Sequence, residues 1–144
     1  YKYGGVHQHT PEVEQALSLA SGKTVKISFT PILAPMPRGI LSTITARLSV
    51  NMDTEKVHAL FSNFYKNDYF VDVLPIGQMP KTGSLTGSNK IQMQVAVDEH
   101  TQRIVISVAI DNLGKGAASQ AIQNANLMCG FHEGAGLSTD GLGA

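Results

Sequence analysis

Two runs, residues 91–97 and 103–110, constrain this chain more than any other part of it. Ile91, Met93, Val95 and Val97 alternate with polar or small neighbours, and Arg103 to Ile110 follows after the turn Glu99–Gln102. Alternation at period two on both sides of a turn predicts an antiparallel hairpin with one buried face. An isolated hairpin is at best marginally stable in water, so the rest of the chain must supply further strands or helices to cover that face.

The remaining segments offer both. Thr10 to Ala20 is expected to form a helix, with Thr10 as N-cap, Pro11 at the first helical position and Glu12 and Glu14 near the positive dipole end. Val13, Ala16, Leu17 and Ala20 recur at helical spacing, and Gly22 is placed to end the helix. Thr24 to Thr30 reads as a strand stopped by Pro31, and Ile40 to Val50 as a second strand. Asp53 or Thr54 is expected to cap a second helix with Val57, Leu60, Phe61 and Phe64 as its apolar stripe. A short strand is expected at Phe70 to Leu74. A third helix is expected from about Leu113 to Met128, with Ala117, Ala121, Ile122, Ala125 and Met128 facing inward. This order predicts an α+β domain: a mixed, mostly antiparallel sheet with helices on one face. The other face must then be covered by a partner chain or another domain, or be solvated.

Composition narrows the function classes. Eleven Lys and Arg balance eleven Asp and Glu, and charged residues are 15% of the 144, against a usual ~25%. No basic nucleic-acid surface and no polybasic membrane patch can be built from that set. The apolar stretch Ile104–Ile110 is far shorter than the ~20 residues of a membrane-crossing helix. Cys129 is the only cysteine, which excludes an internal disulfide framework and fits a reducing, cytoplasmic setting. A chain of this length suits one domain spanning residues 1–144. Because it starts at Tyr1 rather than Met and stops in Gly-rich sequence, it is expected to be a piece of something longer.

Two segments can carry chemistry. In Gly4-Gly5-Val6-His7-Gln8-His9-Thr10-Pro11-Glu12 a pair of histidines precedes a helix start, where the dipole favours a neutral imidazole and attracts anions. That is what a general acid or base needs beside a carboxylate or phosphate substrate; the alternative is that His9 and Thr10 merely cap the helix. In Ile110-Asp111-Asn112-Leu113-Gly114-Lys115-Gly116 a strand runs into a helix through small residues that let a ligand approach the backbone. Asn112 can present donor and acceptor together to a carboxamide; the alternative is that Asp111 or Asn112 is an ordinary N-cap. Arg38, in an irregular loop before Gly39, can hold an anion bidentately. The loop Pro80 to Lys90 has the composition of a phosphate nest but lacks a P-loop ending and feeds a strand. A zinc site from His7, His9, Cys129 and His132 lacks the usual Cys-x-x-Cys knuckle, so no metal is expected. Cys129 falls at a helix C-terminus, where the dipole has the wrong sign to activate a thiol, so it is expected to be a buried structural thiol.

These segments, with the stretch from Phe29 to Leu41 and Gly87-Ser88-Asn89, resemble the N-acetyl-gamma-glutamyl-phosphate reductase family over nearly the whole chain. More widely they resemble the substrate and dimerisation domain of the glyceraldehyde-3-phosphate and aspartate-semialdehyde dehydrogenase superfamily. The resemblance implies the C-terminal fold of that superfamily and NADPH-dependent reduction of an acyl phosphate to an aldehyde in arginine biosynthesis. In such enzymes a cysteine thiolate attacks the acyl phosphate, phosphate leaves, and hydride reduces the thioester. His7 matches the family's acid/base histidine, and Tyr1 and Glu12 match residues around it. His9 and Arg38 are expected at the substrate's anionic groups, Ser88 and Asn89 along the same cleft, and Asn112 at the nicotinamide carboxamide. The nucleophilic cysteine and the dinucleotide fingerprint would lie in an N-terminal domain absent from this chain, which would bind most of the NADP. The piece alone is then expected to be inactive but able to self-associate, as a dimer or tetramer, through its sheet. A sister reductase of an aminoadipate or aspartate acyl phosphate, or a non-catalytic association module, are the competing readings.

Overall fold

In a computed structural model, which describes residues 1–142, the chain divides into two units, Tyr1–Met36 and Pro37–Ala144. The first unit holds α1 (His9–Ser21), ended by Gly22 in the left-handed conformation at φ 67°. Its start differs from the expectation. Thr10 is the second helical residue rather than the N-cap, and the Gln8 side chain makes no cap bond. The capping acceptors come from His7 instead: ring Nδ1 accepts the N–H of His9 at 3.1 Å, and its carbonyl accepts the N–H of Thr10 at 3.0 Å.

Residues 24–30 are not a strand. The N–H of Val25 donates to Ser18 Oγ at 2.9 Å and that of Ile27 to Glu14 Oε1 at 3.0 Å. An extended segment becomes a strand only beside another strand's ladder; here helix side chains supply the acceptors.

The second unit is built on a four-stranded sheet in the order β1-β4-β3-β2. β1 (Ile40–Arg47) and β3 (Ile91–Asp98) both run antiparallel to β4 (Arg103–Ile110). β1 ends at Arg47 rather than Val50, because the next N–H, of Leu48, turns to the carbonyl of Gln102. β2 (Val71–Val73) pairs parallel with β3. The sheet is therefore mixed and mostly antiparallel, as the sequence implied.

α2 (Thr54–Phe64) is capped by Asp53, which accepts the Lys56 N–H at 2.8 Å. It packs Val57 against Met93, Val95 and Ile104, with Phe61, Ile106 and Val108 around them. Only part of its expected stripe is inward: Leu60 and Phe64 are exposed. Register places Thr43, Thr45, Val105, Ser107 and Ala96 on the opposite face, away from α2.

The last helical segment opens with a π-helical turn, Gly114–Ala118, and continues as α3 (Ser119–Met128). Its expected apolar stripe is exposed at Ala117, Ala121, Ile122, Ala125 and Met128. The buried residues are Gln123 and Asn126. The reason lies in what they meet: Asn126 Nδ2 donates to the carbonyls of Glu133 (3.1 Å) and Ala135 (2.9 Å), so this inner face must be polar.

Candidate functional site

Within the first unit the chemistry centres on His7, which is buried. Three rings surround it edge-on: Tyr1 at 5.6 Å between centroids, His9 at 4.8 Å and Phe29 at 5.2 Å. Burial lowers its pKa from the ordinary histidine value, the neighbouring positive ends of His9 and Lys2 lower it further, and Glu12 in the first turn of α1 opposes them. The ring is therefore neutral at physiological pH. Because Nδ1 accepts the His9 N–H, the neutral ring carries its proton on Nε2. The fold thus sets both the charge and the tautomer of this histidine. Of the candidates in this unit, His7, His9 and Tyr1 are brought together; Glu12 acts on His7 through its charge alone.

Within the second unit the hub is a residue the sequence left as a possible cap. Asp111 follows β4 directly and is completely buried. Arg38 Nε donates to its Oδ1 at 2.8 Å and Arg38 Nη2 to its Oδ2 at 2.9 Å, a bidentate pair. The same carboxylate accepts the N–H of Gly87 at 2.7 Å and of Leu113 at 3.1 Å. The Arg38 guanidinium, helped by these two amides, outweighs burial and holds the carboxyl far below its usual range. Arg38 thus spends two of its donors on Asp111 rather than presenting its fork to an external anion.

Asn112 is fixed by the next link. Its Oδ1 accepts the N–H of Gly39 at 2.7 Å, a glycine held at φ 100° with no room for a Cβ against Thr82. With one lone pair of Oδ1 engaged, Asn112 keeps both Nδ2 hydrogens and the second lone pair of Oδ1 for a ligand.

Ser88 and Asn89 stand behind this surface rather than on it, since each is 1% exposed. Asn89 Nδ2 donates to Gln123 Oε1 at 3.1 Å, and its Oδ1 accepts no hydrogen bond among the described residues. The backbone oxygen of Ser88 lies where a Cβ on Gly114 would sit, 2.9 Å away, which is why the helix start there is glycine.

No group of three or more His, Cys, Asp or Glu gathers among the described residues. No helix among them is long and apolar enough to cross a membrane. Cys129 is exposed at the end of α3, not buried as expected, because Gln123 and Asn126 form the inner face of that helix instead. Asp111 and Gly39 were missed as site-forming residues, whereas the sequence already places Gly87 with Ser88 and Asn89 along the cleft. The available signal was a carboxylate placed immediately after an apolar strand, where a buried charge needs a partner.

Residues 1–112 match the family model described as semialdehyde dehydrogenase, dimerisation domain. An N-acetyl-gamma-glutamyl-phosphate reductase of Acidothermus cellulolyticus is 53% identical over 142 residues, covering 99% of this chain and 41% of that protein. The enzyme of the same name from Geobacter sulfurreducens is 52% identical over 137 residues, 95% of this chain and 40% of that protein. The chain therefore spans about two fifths of the length of these relatives. A crystal structure of aspartate semialdehyde dehydrogenase II from Vibrio cholerae superposes with a TM-score of 0.68 over 85% of this chain and 36% of that one, at 18% identity. That likeness establishes the fold.

Proposed function

The chain belongs to the family of semialdehyde dehydrogenase dimerisation domains, and on that premise we propose that it is the substrate-binding and dimerisation domain of an NADPH-dependent N-acetyl-gamma-glutamyl-phosphate reductase. Identity of about half to reductases of that name, over nearly the whole chain, supports the substrate. The observation that carries the chemistry is His7, buried, neutral and held with its proton on Nε2. A donor so fixed suits an oxygen that gains negative charge when an acyl carbonyl is attacked, because it needs no reorganisation as the charge develops. Taking a proton from a thiol at Nε2 would require moving the ring proton to Nδ1 and losing the His9 bond. His7 is therefore assigned chiefly as the hydrogen-bond donor to the reacting carbonyl oxygen. Tyr1 and His9 wall its ring, and His9 and Glu12 set its charge balance.

Asn112 Nδ2 suits the carbonyl oxygen of a nicotinamide carboxamide, with Arg38 and Asp111 holding it in place and Ser88 and Asn89 backing the loop that reaches Asp111. NADPH, when bound, supplies the hydride. The nucleophilic thiolate is assigned to a part of the enzyme outside this chain, and the setting to the cytoplasm. Self-association is assigned to the sheet face carrying Thr43, Thr45 and Val105, opposite the face that packs on α2.

The test uses the full-length enzyme with N-acetylglutamate semialdehyde, NADP and phosphate. Phosphate-dependent NADPH formation is expected, falling about 10²–10³-fold in His7→Ala, the usual loss for one oxyanion donor. Turnover confined to aspartate or aminoadipate semialdehyde would replace the substrate assignment. Turnover indifferent to His7 would make the His-Gln-His segment structural.

A further inference from the structure

Segment Phe131–Leu142 has no role in the reading above, yet it is tied down at several points. The N–H of Leu142 donates to the Thr86 carbonyl at 2.7 Å, and the N–H of Asn89 donates to the Ser138 carbonyl at 2.8 Å. These bonds grip both sides of Gly87, whose own N–H is committed to Asp111. At its other end the segment is held by α3: Gln123 Nε2 donates to Glu133 Oε2 at 2.8 Å, and Asn126 holds the carbonyls of Glu133 and Ala135.

Gln123 is the junction of this network. Its Oε1 accepts from both Asn89 Nδ2 and Lys115 Nζ, while its Nε2 reaches Glu133. One buried carboxamide thereby bridges a cation and an anion and ties both to the loop behind Asp111. Lys115 lies 5.3 Å from the Phe70 ring centroid, and burial lowers its pKa while Glu133 opposes that. Tyr69 packs on the segment from outside, its ring edge-on to His132 at 4.9 Å and close enough to Gly134 that a Cβ there would clash.

We propose that Phe131–Leu142 is a strap, latched by Glu133 on Gln123, that sets the position of Asn112 through Gly87 and Asp111, making Glu133 a positioning residue for nicotinamide binding. This rests on the assignment of Asn112 to the carboxamide. The path Glu133–Gln123–Asn89–loop–Asp111–Asn112 is unbroken at hydrogen-bond or covalent distance, with Asn89 Oδ1 left without a partner among the described residues, and hydrogen bonds linked in such a chain reinforce one another.

The experiment compares Glu133→Ala, Glu133→Gln and Asn112→Ala in the full-length enzyme, by amide hydrogen exchange without ligand and by steady-state kinetics. In Glu133→Ala, exchange at Gly87, Asn89 and Leu142 is expected to speed at least tenfold, with Met93, Val95 and Ile106 unchanged. The KM for NADPH should rise about tenfold while kcat and the KM for the acyl phosphate stay within threefold. Glu133→Gln, which keeps an acceptor for Gln123, should restore both readouts to within threefold of wild type. If Glu133→Ala does not fold, Glu133→Asp, one methylene too short for the same contact, is judged by the same criteria with a threefold threshold. Unchanged exchange at Gly87 overturns the strap. Faster exchange with the KM for NADPH unmoved overturns the coupling to Asn112, provided Asn112→Ala itself raises that KM. If Asn112→Ala leaves it unmoved too, the nicotinamide assignment fails and the strap stands on the exchange data.

Discussion

A histidine whose Nδ1 is occupied by a backbone N–H has one proton position left in its neutral form, and the consequences are measurable at His7 alone. Its titration midpoint in NMR should lie below the ordinary 6.5, and its nitrogen shifts should report the Nε2–H tautomer. A lowered histidine pKa also fixes a sign: the unfolded chain binds the proton first, so this residue's contribution is complete above pH 6.5 and is lost as pH falls below it. A midpoint above 6.5 would contradict the cage of Tyr1, His9 and Phe29. Asp111 carries the complementary case, since it is charged, fully buried and paired. Asp111→Asn removes that charge and leaves Arg38 without its partner, which should cost about 2–4 kcal/mol in urea unfolding at neutral pH. The carboxyl is depressed, so its stabilisation is present above the unfolded value of about 3.9 and is lost as pH falls through the folded value. The difference between wild type and variant should therefore narrow in acid.

Among the elements, the turn from β4 into α3 has little room for added volume. Gly114→Ala would place a Cβ 2.9 Å from the Ser88 oxygen and 3.1 Å from Asp111 Oδ2. Overpacking of that kind should destabilise by about 1–3 kcal/mol and raise the KM for NADPH, whereas Gly130→Asn, at φ 74° in open space, should be nearly neutral. Thermal unfolding of both variants checks the contrast. The same region shows where the sequence was readable. The hairpin of β3 and β4 was plain because alternation at period two has one physical meaning when one face is buried. The start of α2 was legible for the same kind of local reason, although the sequence leaves its cap, Asp53, open between Asp53 and Thr54. α3 misled because helical periodicity assumes an apolar interior, while Gln123 and Asn126 face carbonyls and a carboxylate. Residues 24–30 misled because β-branched alternation says nothing about whether a neighbouring strand exists. Arg38 and Asp111, separated by 73 positions, could be paired only by the sheet that brings them together.

For the whole molecule, the sheet has one face served by α2 and one without a helix from its own unit. Thr43 and Thr45 on β1 sit opposite Ser107 and Val105 on β4, with Gln94 and Ala96 of β3 beside them. Thr43→Arg in the full-length enzyme should lower its oligomeric state in analytical ultracentrifugation without lowering the thermal stability of the separated protomer by more than about 0.5 kcal/mol, as usual for a surface change. An unchanged oligomer would move the interface elsewhere. Sequence showed that this face needed an explanation, and the family match is to a dimerisation domain; neither composition nor period could say which strands would carry the face.

Arg38 precedes the first residue pair of the β1–β4 ladder, Ile40 with Ile110, and Asp111 follows it. The ion pair is thus the clasp at the end of a zip. A slip of two residues between the strands would keep every side chain on its proper face yet pull the clasp about 7 Å apart, so burial alone cannot proof-read this register and the charge pair does. Contacts so distant in sequence close after local hairpins have formed. During refolding, competence to hold a ligand at Asn112 should accordingly arrive as the last step of sheet assembly, so that a newly made chain becomes a binding protein only once its strands are in the right alignment.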